Sequence, residues 1–239
     1  MKRLLLALMV VGCAQTLVAQ TNESNTKPSF HPSQALSVTD IQLPTFCQAN
    51  GVIVLDVPVS EAGEAQPVEV RRDMSCLTPL ALQAVATWGF SAANYGDQPI
   101  ASRVPVVAVF RPPDSVVTPV SLPDLKPQSE AATQAEFQPA EVLHAAYPEY
   151  PYDTVAYGTV VLGVTLSAKG GIENVNVLRD LAPLTATAKA VLAKWRFMPA
   201  TLNGQPVRSS MLLAFVYSQI YTPPPNHPGG RGGRVPPRP

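Results

Sequence analysis

From Val160 to Leu166 apolar side chains stand at every second position, with Val161, Gly163 and Thr165 between them. A period of two predicts a strand with one buried face. Lys169-Gly170-Gly171 supplies a hairpin turn, and Val175 and Val177 carry a return strand. The period then changes. Leu184, Ala188, Val191, Leu192 and Trp195 fall on one stripe of a helix. Asp180, Thr185 or Thr187 can cap its start, and Pro199 follows its end. Asn203-Gly204 marks a turn. Val207 to Tyr217 is rich in strand formers and forms the last element.

The same series stands upstream. Ile53, Leu55, Val57 and Val59 alternate, Glu61-Ala62-Gly63 turns, and Val68 and Val70 return. Leu77, Ala81, Ala84, Val85 and Trp88 repeat the helical stripe. Trp88 aligns with Trp195, Phe90 with Phe197, Arg72-Asp73 with Arg179-Asp180, and Gln98-Pro99 with Gln205-Pro206. One offset of roughly 107 residues aligns them all, with about 20 of some 60 positions identical, which reads as a duplication.

The fold class expected is therefore α+β. It consists of tandem two-layer domains, each a three-stranded antiparallel sheet with one helix packed on it, in the order strand, strand, helix, strand. The third strand lies beside the first and is left on an open edge. Trp88, Phe90, Leu184, Val191, Leu192, Trp195 and Phe197 are the expected core. The expected divisions are an N-terminal signal or anchor over 1–20, a linker over 21–40, a first domain over 41–112, a Pro-rich linker over 113–140, a second domain over 141–219 and a disordered Pro/Gly/Arg-rich tail over 220–239.

Differences between the copies are candidates for function. Pro105 interrupts the last strand of the first copy, and proline cannot donate to a ladder. Its counterpart Leu212 leaves the second copy's edge whole. Residues Met211 to Tyr217 are apolar without alternation. One face suits the helix; the other must meet the first copy, a second molecule or a partner.

Lys plus Arg and Asp plus Glu are 17 each, so no global field steers the chain toward nucleic acid. Lys2-Arg3 followed by the apolar Leu4–Val11 reads as an export signal. Three outcomes stay open: lipidation of Cys13 in the lipobox-like Val10-Val11-Gly12-Cys13, cleavage after Ala19 or Gln20, and an uncleaved anchor. All place the rest of the chain outside the cytoplasm. Cys47 and Cys76 then suggest one disulfide, private to the first copy. His31, His144 and His227 have no ligand-spaced neighbours, so no metal is expected. No nucleophile elbow, phosphate loop or His-Glu-x-x-His occurs, so neither enzyme chemistry nor a cofactor is expected.

Pro148-Glu149-Tyr150-Pro151, then Gly158-Thr-Val-Val-Leu-Gly-Val, then Ala190-Val-Leu-Ala-Lys-Trp195-Arg-Phe197-x-Pro199 and Asn203-Gly204-x-Pro206-Val207 stand in one order. This combination resembles the C-terminal domain of the TonB family of energy transducers, over about His144–Ser218. The first copy is a degenerate relative with Leu43-Pro44 where Tyr150-Pro151 stand. The resemblance implies a periplasmic protein that takes short segments of outer-membrane transporters, the TonB boxes, as an added strand. On that reading the peptide-binding residues are Tyr147, Pro148, Tyr150, Pro151, Val207, Ser209, Met211, Leu213, Phe215 and Tyr217. Inner-membrane motor proteins and a homodimer are further partners the reading allows. The alternative is a non-energised envelope scaffold or lipoprotein using the same domain for protein–protein contacts.

Overall fold

The computed structural model describes residues 29–43, 50–111, 120–122, 125–129, 136–151 and 153–218. The stretch expected to be an N-terminal signal, Cys13, Cys47 and the tail after Ser218 lie outside the described residues. Two series of elements follow one order. The first is β1 (Gly51–Val59), β2 (Glu69–Arg72), α1 (Thr78–Val85) and β3 (Ser102–Arg111). The second is β4 (Gly158–Leu166), β5 (Ile172–Arg179), α2 (Leu184–Ala190) and β6 (Ser209–Tyr217).

The turns follow from residue chemistry. Gly63 and Gly170 close the two hairpins at φ +82° and +78°, a backbone region costly for any residue with a Cβ. At Asn203-Gly204 both residues have positive φ, as a two-residue hairpin requires. The helices start alike. Thr78 Oγ1 accepts the Met74 N–H at 2.8 Å, and Thr185 Oγ1 accepts the Leu181 N–H at 2.9 Å. These are threonines inside the first turn reaching back. Asp180 does not cap, and Thr187 instead donates to the Leu184 carbonyl at 2.9 Å.

The expectation of two separate three-stranded sheets needs correction. The six strands of the two series form one sheet in the order β2-β1-β3-β6-β4-β5. At its centre β3 and β6 run parallel, Val106–Arg111 against Leu212–Tyr217. The paired positions differ by 106 residues (Leu212 beside Val106), one less than the offset of roughly 107 that aligns the two sequences. Since side chains alternate across a strand, a one-residue difference turns equivalent positions to opposite faces. Hence α1 and α2 lie on opposite sides. Met211, Leu213, Phe215 and Tyr217 share a core with Leu184, Ala188 and Leu192 of the α2 region. Leu212, Ala214 and Val216 belong to the other core, with Leu77, Ala81 and Val85 of the α1 region.

Each helix covers only its own half, so the reverse faces need other cover. Leu122, Phe137, Ala140 and Val142 pack over Val52, Val54, Val107 and Val109. Ile41 joins Val161 and Leu212 on the opposite side. Of these, Leu122, Phe137 and Ala140 fall within the stretch expected to be a Pro-rich linker over 113–140. Phe30–His31 pairs with Ala93–Tyr95, and Ala35–Ser37 with Gly89–Phe90. In the second half Phe137–Gln138 pairs with Ala200–Leu202, and Glu141–Ala145 with Arg196–Met198 and Val120–Ser121. Few of these residues are strong strand formers in a clean alternation; backbone pairing to the segment after each helix holds them. The rings of Phe30 and Phe137 meet at 5.1 Å, a side-chain contact between the two halves beside their strand pairing.

A Cβ at Gly170 would sit 2.6 Å from the Phe197 carbonyl oxygen, whereas one at Gly204 meets nothing within 4 Å. Both glycines have positive φ. Gly170→Ala is expected to destabilise the fold by about 1–3 kcal/mol and Gly204→Ala by about 1 kcal/mol or less. Urea unfolding of the two variants beside wild type checks this order.

Candidate functional site

Strand addition needs a strand with one unpaired side. β6 pairs with β4 along all nine of its residues and with β3 from Leu212 onward. Ahead of Leu212, Ser210 Oγ donates to the Ser33 carbonyl, and Ser33 Oγ lies 2.5 Å from Ser102 Oγ. The open edge expected at the last strand is therefore closed from within the chain. Pro105 does not interrupt its strand either. It sits opposite Asp56 in a continuous β3, one residue ahead of the first β6 pair. Proline's missing N–H falls where it breaks no bond to β6.

Of the residues expected to bind peptide, Ser209, Met211, Leu213, Phe215 and Tyr217 run the whole length of β6 and face inward, while Pro148 and Tyr150 sit beside the strand's Tyr217 end. Met211, Leu213, Phe215 and Tyr217 are fully buried under the α2 region. Ser209 is buried as well. Val207 belongs to a separate short strand, Gln205–Val207, paired with Ala200–Leu202. The Pro-x-Tyr-Pro motif anchors its own loop. The Tyr150 hydroxyl donates to the Ala156 carbonyl at 2.6 Å, and its ring meets Tyr217 edge-on at 5.6 Å. Arg111 Nε donates to the Pro148 carbonyl at 3.2 Å. Tyr147 is half-buried, and burial pushes its hydroxyl above the ordinary range. Trp195, between α2 and the following strand, donates Nε1–H to the Ala146 carbonyl at 3.0 Å. Pro148, Tyr150 and Trp195 thus fix the chain segment that leads into β4.

Two polar assemblies escaped the sequence reading. In the first, the Thr159 N–H donates to Asp40 Oδ1 at 2.9 Å, and Thr159 Oγ1 accepts the Ile41 N–H at 3.0 Å. Arg179 Nη1 donates to the Thr159 carbonyl at 2.5 Å and pairs with Asp40 at 3.5 Å. This clasp ties residues 40–41 to β4. The second lies on the reverse face of the first half. Arg103 Nε donates to Asp56 Oδ2 at 2.7 Å, and Arg103 Nη2 is 2.8 Å from Glu69, close in distance but off the hydrogen-bond direction. Ser129 Oγ donates to the other Glu69 oxygen at 2.8 Å, and Arg71 pairs with Glu141 at 2.9 Å. Burial pushes the Asp56 carboxyl up from its ordinary value, and Arg103 pulls it down without cancelling that shift. Asp56 on β1 is the one sequence signal for this assembly, a carboxylate among eight apolar or small neighbours.

The outer strands of the sheet differ. β2 is crossed by the extended residues 125–129: the Lys126 N–H donates to the Arg71 carbonyl at 2.7 Å, and Arg71 Nε donates back to the Lys126 carbonyl at 2.7 Å. β5 pairs inward with β4, and among the described residues no strand lies on its outer side. Cys76 is disulfide-bonded, while Cys47, its expected partner, lies outside the described residues. Among the described residues no three His, Cys, Asp or Glu gather as a metal site, and no helix is long and apolar enough to cross a membrane.

Residues 144–218 match the family model of the Gram-negative bacterial TonB protein C-terminal domain. The match begins in the strand before the Pro-x-Tyr-Pro motif and ends just past β6. It thus spans the second half of the sheet and leaves the first half unmatched. No curated protein and no solved structure matches the chain. The TonB C-terminal match covers a protein-interaction domain, and over the matched residues this chain places β4, β5, α2 and β6 in that order.

The buried Tyr217 hydroxyl gives this region a measurable signature. It lies 3.1 Å from Thr187 Oγ1 and 3.3 Å from the Leu184 carbonyl. Burial pushes its pKa up to about 12, against the Thr187 bond that lowers it. The unfolded phenol ionises near pH ~10. The unfolded chain therefore loses its proton first, and stability falls as the pH rises from about 10 through about 12, by roughly 2–3 kcal/mol. Tyr217→Phe is expected to remove that part of the slope in pH-dependent denaturation, at a cost of about 1 kcal/mol at neutral pH.

Proposed function

We propose that the protein is a TonB-type interaction module of the Gram-negative envelope that serves outer-membrane transport as a scaffold. The match over residues 144–218 supports the family setting. The observation that carries the scaffold reading is the pairing of β6 with β3. A transducing domain captures transporter segments on a free strand edge, where backbone hydrogen bonds supply much of the affinity. Here that edge is filled by the first half of the same chain. Displacing β3 also breaks its nine-residue antiparallel pairing with β1 and opens both cores, a cost no short peptide strand offsets.

On this reading the first half is what makes the module a scaffold. It converts a peptide-accepting domain into a larger, rigid body with both faces covered. The protein is exported and works in the periplasm, held there by lipidation at Cys13, by an uncleaved N-terminus, or free after cleavage. A second reading, energised capture of TonB boxes with motor proteins as partners, has the same family match in its favour.

The two readings separate in one titration. A synthetic TonB-box peptide is added to the full chain while amide exchange is followed across residues 209–217 and 102–111. The scaffold reading expects no saturable binding and unchanged protection in both strands. Saturable binding that deprotects residues 106–111 while residues 212–217 stay protected would establish strand replacement and sink the scaffold reading.

A further inference from the structure

We infer that the outer edge of β5 is a self-association surface, through which two copies of the chain pair antiparallel into a closed dimer. The inference stands on the sheet geometry and does not rest on the scaffold reading. Three of the sheet's four candidate edges are occupied: β3 and β6 close each other, and residues 125–129 cross β2. β5 is eight residues long, and half-exposed Ile172 and Val177, 37 % and 40 % accessible, lie along it. Such an edge presents a row of unpaired backbone donors and acceptors.

The sequence of β5 selects the partner. Pairing it with an antiparallel copy about Asn176 sets Asn176 opposite its own equivalent. Val175 then faces Val177, Asn174 faces Leu178, and Glu173 faces Arg179. Acid meets base at both ends, valine meets valine, and no like charges oppose each other. Pairing about the point between Val175 and Asn176 sets Ile172 against Arg179 and Glu173 against Leu178 instead, and loses that match. A surface complementary to itself is what a two-fold interface requires. Because among the described residues the six-stranded sheet offers one such edge, association closes at two copies and does not continue into a fibre.

The strand also limits the strength of the contact. Its register against β4 shifts near each end, at Leu178 and at Glu173. Regular pairing is thus confined to Asn174–Val177, well short of a standard interface, and the dimer is weak, with a Kd on the order of 100 µM. Glu173 is also held by Arg208 at 2.7 Å and Arg179 by Asp40 at 3.5 Å, so the ends steer the register more than they bind.

Sedimentation equilibrium of the full chain up to about 500 µM tests the inference. Wild type is expected to pass from monomer to dimer and no further. Asn176 is exposed and sits on the two-fold axis, so Asn176→Lys alone and Asn176→Asp alone each place like charges face to face and should remain monomeric. Mixing the two variants should restore dimer, since lysine then faces aspartate. Circular dichroism of each variant confirms that the fold is kept. Wild type that stays monomeric, because the edge binds another protein or nothing, overturns the inference. A dimer that Asn176→Lys leaves intact places the contact elsewhere and overturns it too. Failure of the mixture to associate rules out the proposed register.

Discussion

The parallel pairing of β3 with β6 sets the rest of the architecture. It joins two strand-strand-helix-strand halves at their last strands. Its register differs by one residue from the alignment of the two sequences. That single residue places α1 and α2 on opposite sides, because neighbouring strands share a face only at paired positions. Each half then leaves its reverse face bare, and an uncovered apolar sheet face of that size does not persist in water. Two segments answer this need, residues around Ile41 on one side and Leu122 with residues 137–146 on the other. The Asp40–Thr159–Arg179 clasp and the Arg71–Glu141 pair fasten these covering segments where they cross.

Much of this was legible along the chain and little of it across the chain. The alternation at Val160–Leu166, the turn at Gly170 and the stripe from Leu184 to Trp195 are local patterns, and local patterns report local geometry. The run Met211–Tyr217 told more than alternation does: a strand apolar at every position is covered on both faces. What covers it depends on contacts between segments about 100 residues apart, which no periodicity encodes. The segments around Phe30 and Phe137 were missed for a related reason. Their pairing is made by backbone groups, which every residue carries, so a polar composition conceals it. Pro105 was read as a flaw in an edge because the edge was assumed free. With β6 in place, its position just ahead of Val106 is where a missing donor costs least.

The sealing of β6 also changes what the Pro-x-Tyr-Pro motif does. In an isolated domain with a free last strand, Tyr147–Pro151 would flank an approaching peptide. In this chain Pro148 receives a hydrogen bond from Arg111, the last residue of β3, and Tyr150 packs on Tyr217, the last residue of β6. The motif therefore locks the end of the central strand pair, so its residues strengthen the closure that removes the edge.

A sheet built from two like halves has two like outer strands, yet these are managed differently. β2 is four residues long, and the chain between the halves crosses it, fixed by Arg71 and Lys126. β5 is twice that length and carries the devices of a strand that must stay soluble while unpaired: register shifts near both ends, charges at Glu173 and Arg179, and asparagines at 174 and 176. These devices shorten the regular edge without removing it. An edge meant only to avoid contact has no need of self-complementary order. The arrangement of Glu173, Val175, Val177 and Arg179 about Asn176 is that order, and it permits one register while the shifts near the ends keep the contact weak.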